Sequence, residues 1–231
     1  MESITDTYFG GKGSEGTYQT IINQISPCEV FYSCFLGHCR VSQHLQRPPR
    51  VYGFDLDETV IRRWQQVGWM KAERQDAIAF LRNFSENPTE RACLFCDPPY
   101  PWETRKSPSR YKHELSPYQH DELLRALLRI DTHSSHVQIL LCTLPNKKYE
   151  DALSTWKRIS YQNMTRGGVV EEHLYVNRPT TGALQDYRYV GADFTERQRI
   201  KRKVNRWVKG LQRLPATERN AILSEIKRQY L

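Results

Sequence analysis

Ala92-Cys93-Leu94-Phe95-Cys96-Asp97-Pro98-Pro99-Tyr100 is the stretch that decides the fold. Its first five residues are apolar without interruption, which predicts a strand covered on both faces, as in the middle of a parallel sheet. Asp97 ends the run, and Pro98-Pro99 stops it from continuing as strand or helix. In a parallel α/β sheet, ligands collect beyond the carboxyl ends of the strands. Asp97, Pro98, Pro99 and Tyr100 are therefore delivered to the place where reactions occur.

The flanks read as strands alternating with helices. Upstream lie a Gly10-Gly11-Lys12-Gly13 loop, a helix near Thr17–Ile25, an apolar strand Val30–Phe35 with a turn at Gly37, and a strand Val51–Phe54 that ends at Asp55. Helical periodicity follows over Thr59–Trp69 and again over Glu73–Phe84. Downstream, a polar loop (101–115) leads to Ser116-Pro117, an N-cap and N1 pair opening a helix that runs to about Ile130. Val137–Cys142 reads as a buried strand and Lys147–Trp156 as a helix. Arg158–Met164 and Val169–Asn177 read as two strands joined by the hairpin signal Arg166-Gly167-Gly168. This pattern predicts an α/β fold whose sheet is mostly parallel with an antiparallel C-terminal hairpin. After a turn-rich connector, two helices (about 195–213 and 217–229) divided by Pro215 form a tail. We take residues 1–194 as the principal domain and 195–231 as the extension.

Composition narrows the function classes. Hydrophobic residues make up 39% of the 231-residue chain and charged residues 26%, which excludes a disordered chain. No apolar run approaches the roughly 18 residues of a membrane span, and the start of the chain lacks the basic and apolar regions of a signal peptide. A cytoplasmic protein with no membrane partner and six reduced cysteines is expected. Cys93 and Cys96 form a CxxC, but residues three apart in a strand face opposite ways, so no metal site is expected. The charge is uneven. Residues 195–231 hold 11 Lys and Arg against 3 Asp and Glu, a net +8, while residues 1–194 hold 23 of each. A neutral body with a cationic tail points to a polyanionic partner.

The chemistry of Asp97–Tyr100 follows from its groups. The Asp97 carboxylate and the Pro98 carbonyl can accept the two hydrogens of one exocyclic amino group, and Tyr100 offers an aromatic face for stacking. Together they describe a pocket for a flipped-out aminopurine. The plainer alternative is that Pro-Pro merely terminates the strand while Asp97 caps a nearby backbone group.

At these residues the chain resembles the S-adenosylmethionine-dependent amino-methyltransferases, in particular the Dam-like DNA adenine N6-methyltransferases, including short phage-type members. The resemblance runs over nearly the whole chain. Tyr8-Phe9-Gly10-Gly11-Lys12 is similar to the family's N-terminal cofactor motif. Ser33-Cys34-Phe35-Leu36-Gly37-His38-Cys39 is similar to its cofactor turn, and Asp55, 20 residues after Phe35, to the acidic residue that holds the ribose. Asp97-Pro98-Pro99-Tyr100 matches the catalytic motif. The stretch Ile139–Asn146 with Tyr149 resembles the strand and loop lining the target pocket, and Glu171–Asn177 resembles the terminal hairpin strand. The resemblance implies a Rossmann-like methyltransferase sheet and S-adenosylmethionine as cofactor. It implies methyl transfer to the N6 amino group of adenine in DNA by base flipping and direct displacement, without a metal. The cofactor contacts it implies are Tyr8, Phe9, Gly10, Gly11, Lys12, Phe35, Gly37 and Asp55.

The chain departs from the family in two places. Ser33, Cys34 and Cys39 stand where the cofactor turn usually has Glu, Pro and a second Gly, so a Cβ at position 39 is expected to crowd the cofactor. Only 41 residues separate Asp55 from Asp97, too few for a recognition domain. Recognition is then expected from the 101–115 loop, through Arg105, Lys106, Arg110, Tyr111 and Lys112, and from the tail, through Lys201, Arg202, Lys203 and Arg206. The alternative for both is a solvated surface. In the tail, Ile200, Val204, Val208 and Leu211 form an apolar stripe expected to pack while the cations face outward. Two rival functions remain open. One is a catalytically silent DNA-binding homologue. The other is a haloacid-dehalogenase-type phosphatase using Asp55 and Asp57, with Thr59, Thr143 and Asp193 as further candidates. Within the methyltransferase reading, cytosine N4 and adenine in RNA are substrate alternatives.

Overall fold

The computed structural model describes Lys12 and residues 16–85, 89–105, 111–165 and 168–230. Two compact units are present, Met1–Tyr187 and Arg188–Leu231. The expected Tyr8, Phe9, Gly10 and Gly11 contacts, and Lys106 and Arg110, lie outside the described residues.

The first unit holds seven strands: β1 (Val30–Cys34), β2 (Arg50–Asp55), β3 (Lys71–Arg74), β4 (Ala92–Cys96), β5 (Val137–Thr143), β6 (Lys157–Thr165) and β7 (Gly168–Val176). They form one sheet in the order β3-β2-β1-β4-β5-β7-β6. The first five strands are parallel, and β7 runs antiparallel to both β5 and β6. This is the Rossmann-like, mostly parallel sheet with an antiparallel C-terminal hairpin expected from the sequence. The strand order reverses between β1 and β4, which opens a crevice beyond their carboxyl ends.

The central strands β4 and β5 are buried at every position, as their unbroken apolar runs require. Phe31 and Phe95 stack on one face of the sheet, with ring centroids 6.3 Å apart. On the other face Tyr32, Tyr52, Phe54, Phe80 and Phe84 form an aromatic cluster. The helices of this unit are α1 (Thr17–Ile22), α2 (Arg40–His44), α3 (Glu58–Val67), α4 (Ala77–Arg82), α5 (Pro117–His133) and α6 (Lys147–Ala152). Their starts are set chemically. Asp57 caps α3, Asp76 caps α4, and Ser116 with Gln119 makes a capping box on α5 with Pro117 in its first turn.

Two local readings change. The helix expected over Glu73–Phe84 is a four-residue edge strand, β3, followed by α4. The run Lys71-Ala72-Glu73-Arg74 is strand because it pairs with Tyr52–Asp55, a tertiary contact invisible to periodicity. The helix expected to reach Trp156 stops at Ala152.

The second unit consists of α7 (Phe194–Gln212) and α8 (Ala216–Tyr230), with Asp193 capping α7. In the Ile200–Leu211 stripe the two end residues, Ile200 and Leu211, are half-buried. No residue of either helix is buried, and Val204 and Val208 stand exposed along with Trp207. No helix among the described residues is long and apolar enough to cross a membrane.

Candidate active site

The crevice at the strand reversal is a cleft partly open to solvent. Its walls come from the loops after β1, β2, β3 and β4. They include Phe35, Gly37, Asp55, Asp76, Asp97 and Pro99, and Lys12 lines the cleft with them, so four of the expected cofactor residues and two of the catalytic motif share one cavity.

The turn after β1 is tightly specified. Phe35 has φ 61°, a left-handed conformation costing a bulky residue about 1–3 kcal/mol, and Gly37 follows at φ 45°. The turn is held from β2. The Leu36 N–H donates to the Phe54 carbonyl at 2.8 Å, and the Gly37 N–H donates to Asp55 Oδ2 at 2.8 Å. Asp55 Oδ1 accepts the Asp57 N–H at 2.8 Å, so each oxygen keeps one lone-pair direction for another donor. Burial raises the Asp55 pKa above the usual carboxylate range, against the pull of those two N–H groups. Cys39, at the position of the family's second glycine, has φ −31° and needs no glycine for its backbone. Its sulfur caps α2 by accepting the Ser42 N–H at 3.3 Å, and the residue lines the cleft.

Asp97 stands at the end of β4 with its side chain 19% exposed, and behind it lies a buried ionic cluster. Lys12 Nζ is 2.9 Å from Asp97 Oδ1 and 3.0 Å from Glu172 Oε2. Lys12 also donates to the Tyr100 hydroxyl, which in turn donates to Asp97 Oδ1 at 3.2 Å. Burial works against the Lys12 ammonium, but the two carboxylates outweigh it and hold its pKa well above that of an ordinary lysine. Burial raises the Asp97 pKa, opposed chiefly by Lys12 and reinforced by Glu172. For Glu172 burial also pushes up, yet Lys12, Asn163 and Tyr161 prevail and its pKa is lowered.

The described candidates are brought together unevenly. Lys12, expected as a cofactor contact, lines the cleft and is also the counter-ion of Asp97. Tyr100, expected to offer an open stacking face, is buried with the Lys12 ammonium 4.8 Å from its ring centroid. A buried phenol needs a partner, and here Lys12 and Asp97 are the partners. Arg105 is turned inward and makes a two-pronged pair with Glu114 at 3.0 and 2.7 Å, its guanidinium 5.3 Å from the Tyr111 ring. Tyr111 and Lys112 line the cleft, and Lys112 Nζ is 2.9 Å from Asp57 Oδ1. Lys201, Arg202, Lys203 and Arg206 are exposed on α7 in the second unit.

The sequence reading did not single out Glu172. The available signal was its phase: it alternates with Leu174 and Val176 on one face of a strand, a charge where the pattern calls for an apolar residue. The phosphatase alternative needs a free nucleophile, whereas Asp55 holds two backbone N–H groups and Asp57 caps α3 while pairing with Lys112. All six cysteines are free, with Cys93 beside Cys28 and Cys96 beside Cys34. Among the described residues no three His, Cys, Asp or Glu side chains are grouped to hold a metal ion.

No protein-family model and no curated protein sequence matches the chain. Solved structures with a similar fold include an rRNA methylase from Streptococcus thermophilus (13% identity, TM-score 0.43, covering 71% of this chain and 95% of that one). The magnesium protoporphyrin IX methyltransferase ChlM from Synechocystis PCC 6803 is another (13% identity, TM-score 0.41, 69% and 74%). The 23S rRNA methyltransferase ErmE is a third (10% identity, TM-score 0.44, 83% and 76%). Function must be read from the site.

Proposed function

We propose that this protein is an S-adenosylmethionine-dependent methyltransferase acting on the N6 amino group of adenine in DNA. The observation that carries the reading is the place of Asp97. Its partly exposed carboxylate ends a central strand inside the cleft that also holds Phe35, Gly37 and Asp55.

The cleft suits such a cofactor on two counts. Asp55 keeps acceptor capacity for a ribose hydroxyl while it fixes the Gly37 turn. In addition, two carboxylates and one ammonium leave one net negative charge beside the cleft when both acids are ionised, which favours a cationic group there. Phe35, Gly37 and Asp55 would hold the cofactor, whose sulfonium supplies an electrophilic methyl group. Asp97 and the Pro98 carbonyl accept the two hydrogens of the target amino group, drawing its lone pair out of conjugation with the ring and fixing its direction. Lys12 and Tyr100 hold the Asp97 carboxylate in position. The +8 of residues 195–231 supplies sequence-independent attraction to phosphates.

The test is mass spectrometry of nucleosides after incubating DNA with the protein and S-adenosylmethionine. N6-methyladenine supports the reading. N4-methylcytosine, or methylation confined to RNA, would move the substrate, and cofactor binding without methylation of either nucleic acid would mark a silent DNA-binding homologue.

A further inference from the structure

Glu172 is more elaborately held than a space-filling residue needs to be. It lies on β7, 3% exposed, 3.0 Å from the Lys12 ammonium. Its Oε2 accepts the Tyr161 hydroxyl at 2.8 Å, its Oε1 accepts the Asn163 amide at 2.8 Å, and the Thr17 hydroxyl donates to Asn163 Oδ1 at 3.4 Å. Replacing a whole buried ion pair by apolar residues is often neutral, so a buried carboxylate is not by itself a stabilising device. Here donors from β6, backed by α1, converge to keep this one ionised.

An ammonium has three donors, and Lys12 meets three acceptors: Asp97, Glu172 and Tyr100. Its charge is thus divided between two acids, and whatever draws it toward Glu172 takes it from Asp97. The other titratable groups facing Asp97 are Tyr100 on its own loop, Tyr161 on β6, Cys142 on β5, Cys96 at the end of β4, Tyr111 on the following loop and Cys39 at the start of α2. Burial raises the pKa of five of them, and the contact with Cys34 together with burial raises that of Cys96, so all six stay neutral while the acids titrate. Lys12 and Glu172 are the charges that remain in the cluster.

We propose that Glu172 is a positioning residue that, by sharing Lys12 with Asp97, sets how strongly Asp97 accepts a hydrogen bond or a proton. With Glu172 neutralised, Lys12 binds Asp97 alone and makes it a weaker acceptor. With Lys12 neutralised, two acids face each other and Asp97 keeps its proton to higher pH. That this tunes catalysis rests on the function proposed above; the electrostatic coupling does not.

The coupling is measured on the unliganded full chain by carbon-13 NMR with labelled aspartate carboxyls, the Asp97 signal being assigned by its loss in Asp97→Asn. Glu172→Gln should lower the Asp97 midpoint by about one pH unit or more, and Lys12→Met should raise it. Glu172→Asp, which keeps the charge, should return it toward wild type. If Lys12→Met does not fold, Glu172→Gln decides alone, because glutamine can still accept from Tyr161 or Asn163. An unmoved midpoint in folded Glu172→Gln overturns the proposal. In the methylation assay the acid limb of the kcat profile should shift in the same directions. A shifted midpoint in a protein that methylates nothing leaves the coupling standing and removes the proposed function. Active enzyme with an unmoved midpoint does the reverse.

Discussion

The Gly37 N–H donates to Asp55 Oδ2 at 2.8 Å, tying the turn after β1 to the end of β2 across the cleft wall. One carboxylate therefore shapes the turn and presents its remaining capacity to a ligand. Asp55→Ala should weaken S-adenosylmethionine binding by about 10- to 100-fold, the equivalent of a lost charge-assisted hydrogen bond of about 1.5–3 kcal/mol. It should also lower Tm, because two buried N–H groups lose their acceptor. Calorimetry and thermal melts check both, and full affinity in the variant would remove Asp55 from the cofactor site.

Asp97→Ala should behave differently. Methyl transfer should vanish while S-adenosylmethionine binding persists, weakened only by the loss of the cluster's one net negative charge, since Lys12 keeps Glu172 as its partner at 3.0 Å. Transfer assays beside calorimetry separate the two roles, and loss of affinity with intact turnover would reassign Asp97.

A single glycine in β2 connects packing to the site. A Cβ on Gly53 would lie 2.4 Å from Met70 Sδ and 2.7 Å from Leu36 Cδ2. Gly53→Ala should cost about 1–3 kcal/mol by overpacking and loosen the Phe35–Gly37 turn through Leu36. Adding Met70→Ala should restore part of that loss, which denaturant melts of the single and double variants will show.

The frame of the fold was legible because its strongest elements carry their own signals. Ala92–Cys96 and Val137–Cys142 read as buried strands from composition alone, and Ser116-Pro117 announced the start of α5. The strand β3 was illegible because three of its four residues are charged and they owe their conformation to β2. In the site, Asp97 and Asp55 were placed by their positions at strand ends. The roles of Arg105 and Tyr100 were not, because a cation in a polar loop gives no hint of a partner nine residues away, and an aromatic after Pro-Pro gives no hint of burial. In α7 periodicity marks an amphipathic helix but does not grade its stripe, in which Val204 and Val208 are exposed and Ile200 and Leu211 half-buried.

Asp57 offers a pH test. Burial opposes its charge, but Lys112 and the Thr59 hydroxyl and N–H overcome this and hold its pKa at about 2. A carboxylate depressed by folding contributes stability above its unfolded value of about 3.9, and that stability is lost as pH falls toward about 2. Thermal melts from pH 5 to pH 2 should therefore show a steeper fall for wild type than for Asp57→Ser, which keeps a capping oxygen without the charge. Parallel curves would show that the Lys112 pair contributes nothing.

The tail is tested best by charge reversal. Lys201, Arg202 and Lys203 lie on α7, where no residue is buried, so replacing them with Glu removes no buried contact. Residues 195–231 carry the whole +8 of the chain, and the triple change turns three positive charges into three negative ones, leaving +2 there. Phosphate contacts make affinity fall with salt at a slope of about −0.9 per neutralised phosphate, and they carry little sequence information. The variant should bind DNA more weakly at low salt, with a flatter salt dependence, and raise KM for every DNA sequence alike. S-adenosylmethionine affinity should not change. Unaltered DNA binding at low salt would show α7 to be a solvated surface, whereas a change in which sequence is methylated would show that these residues read bases.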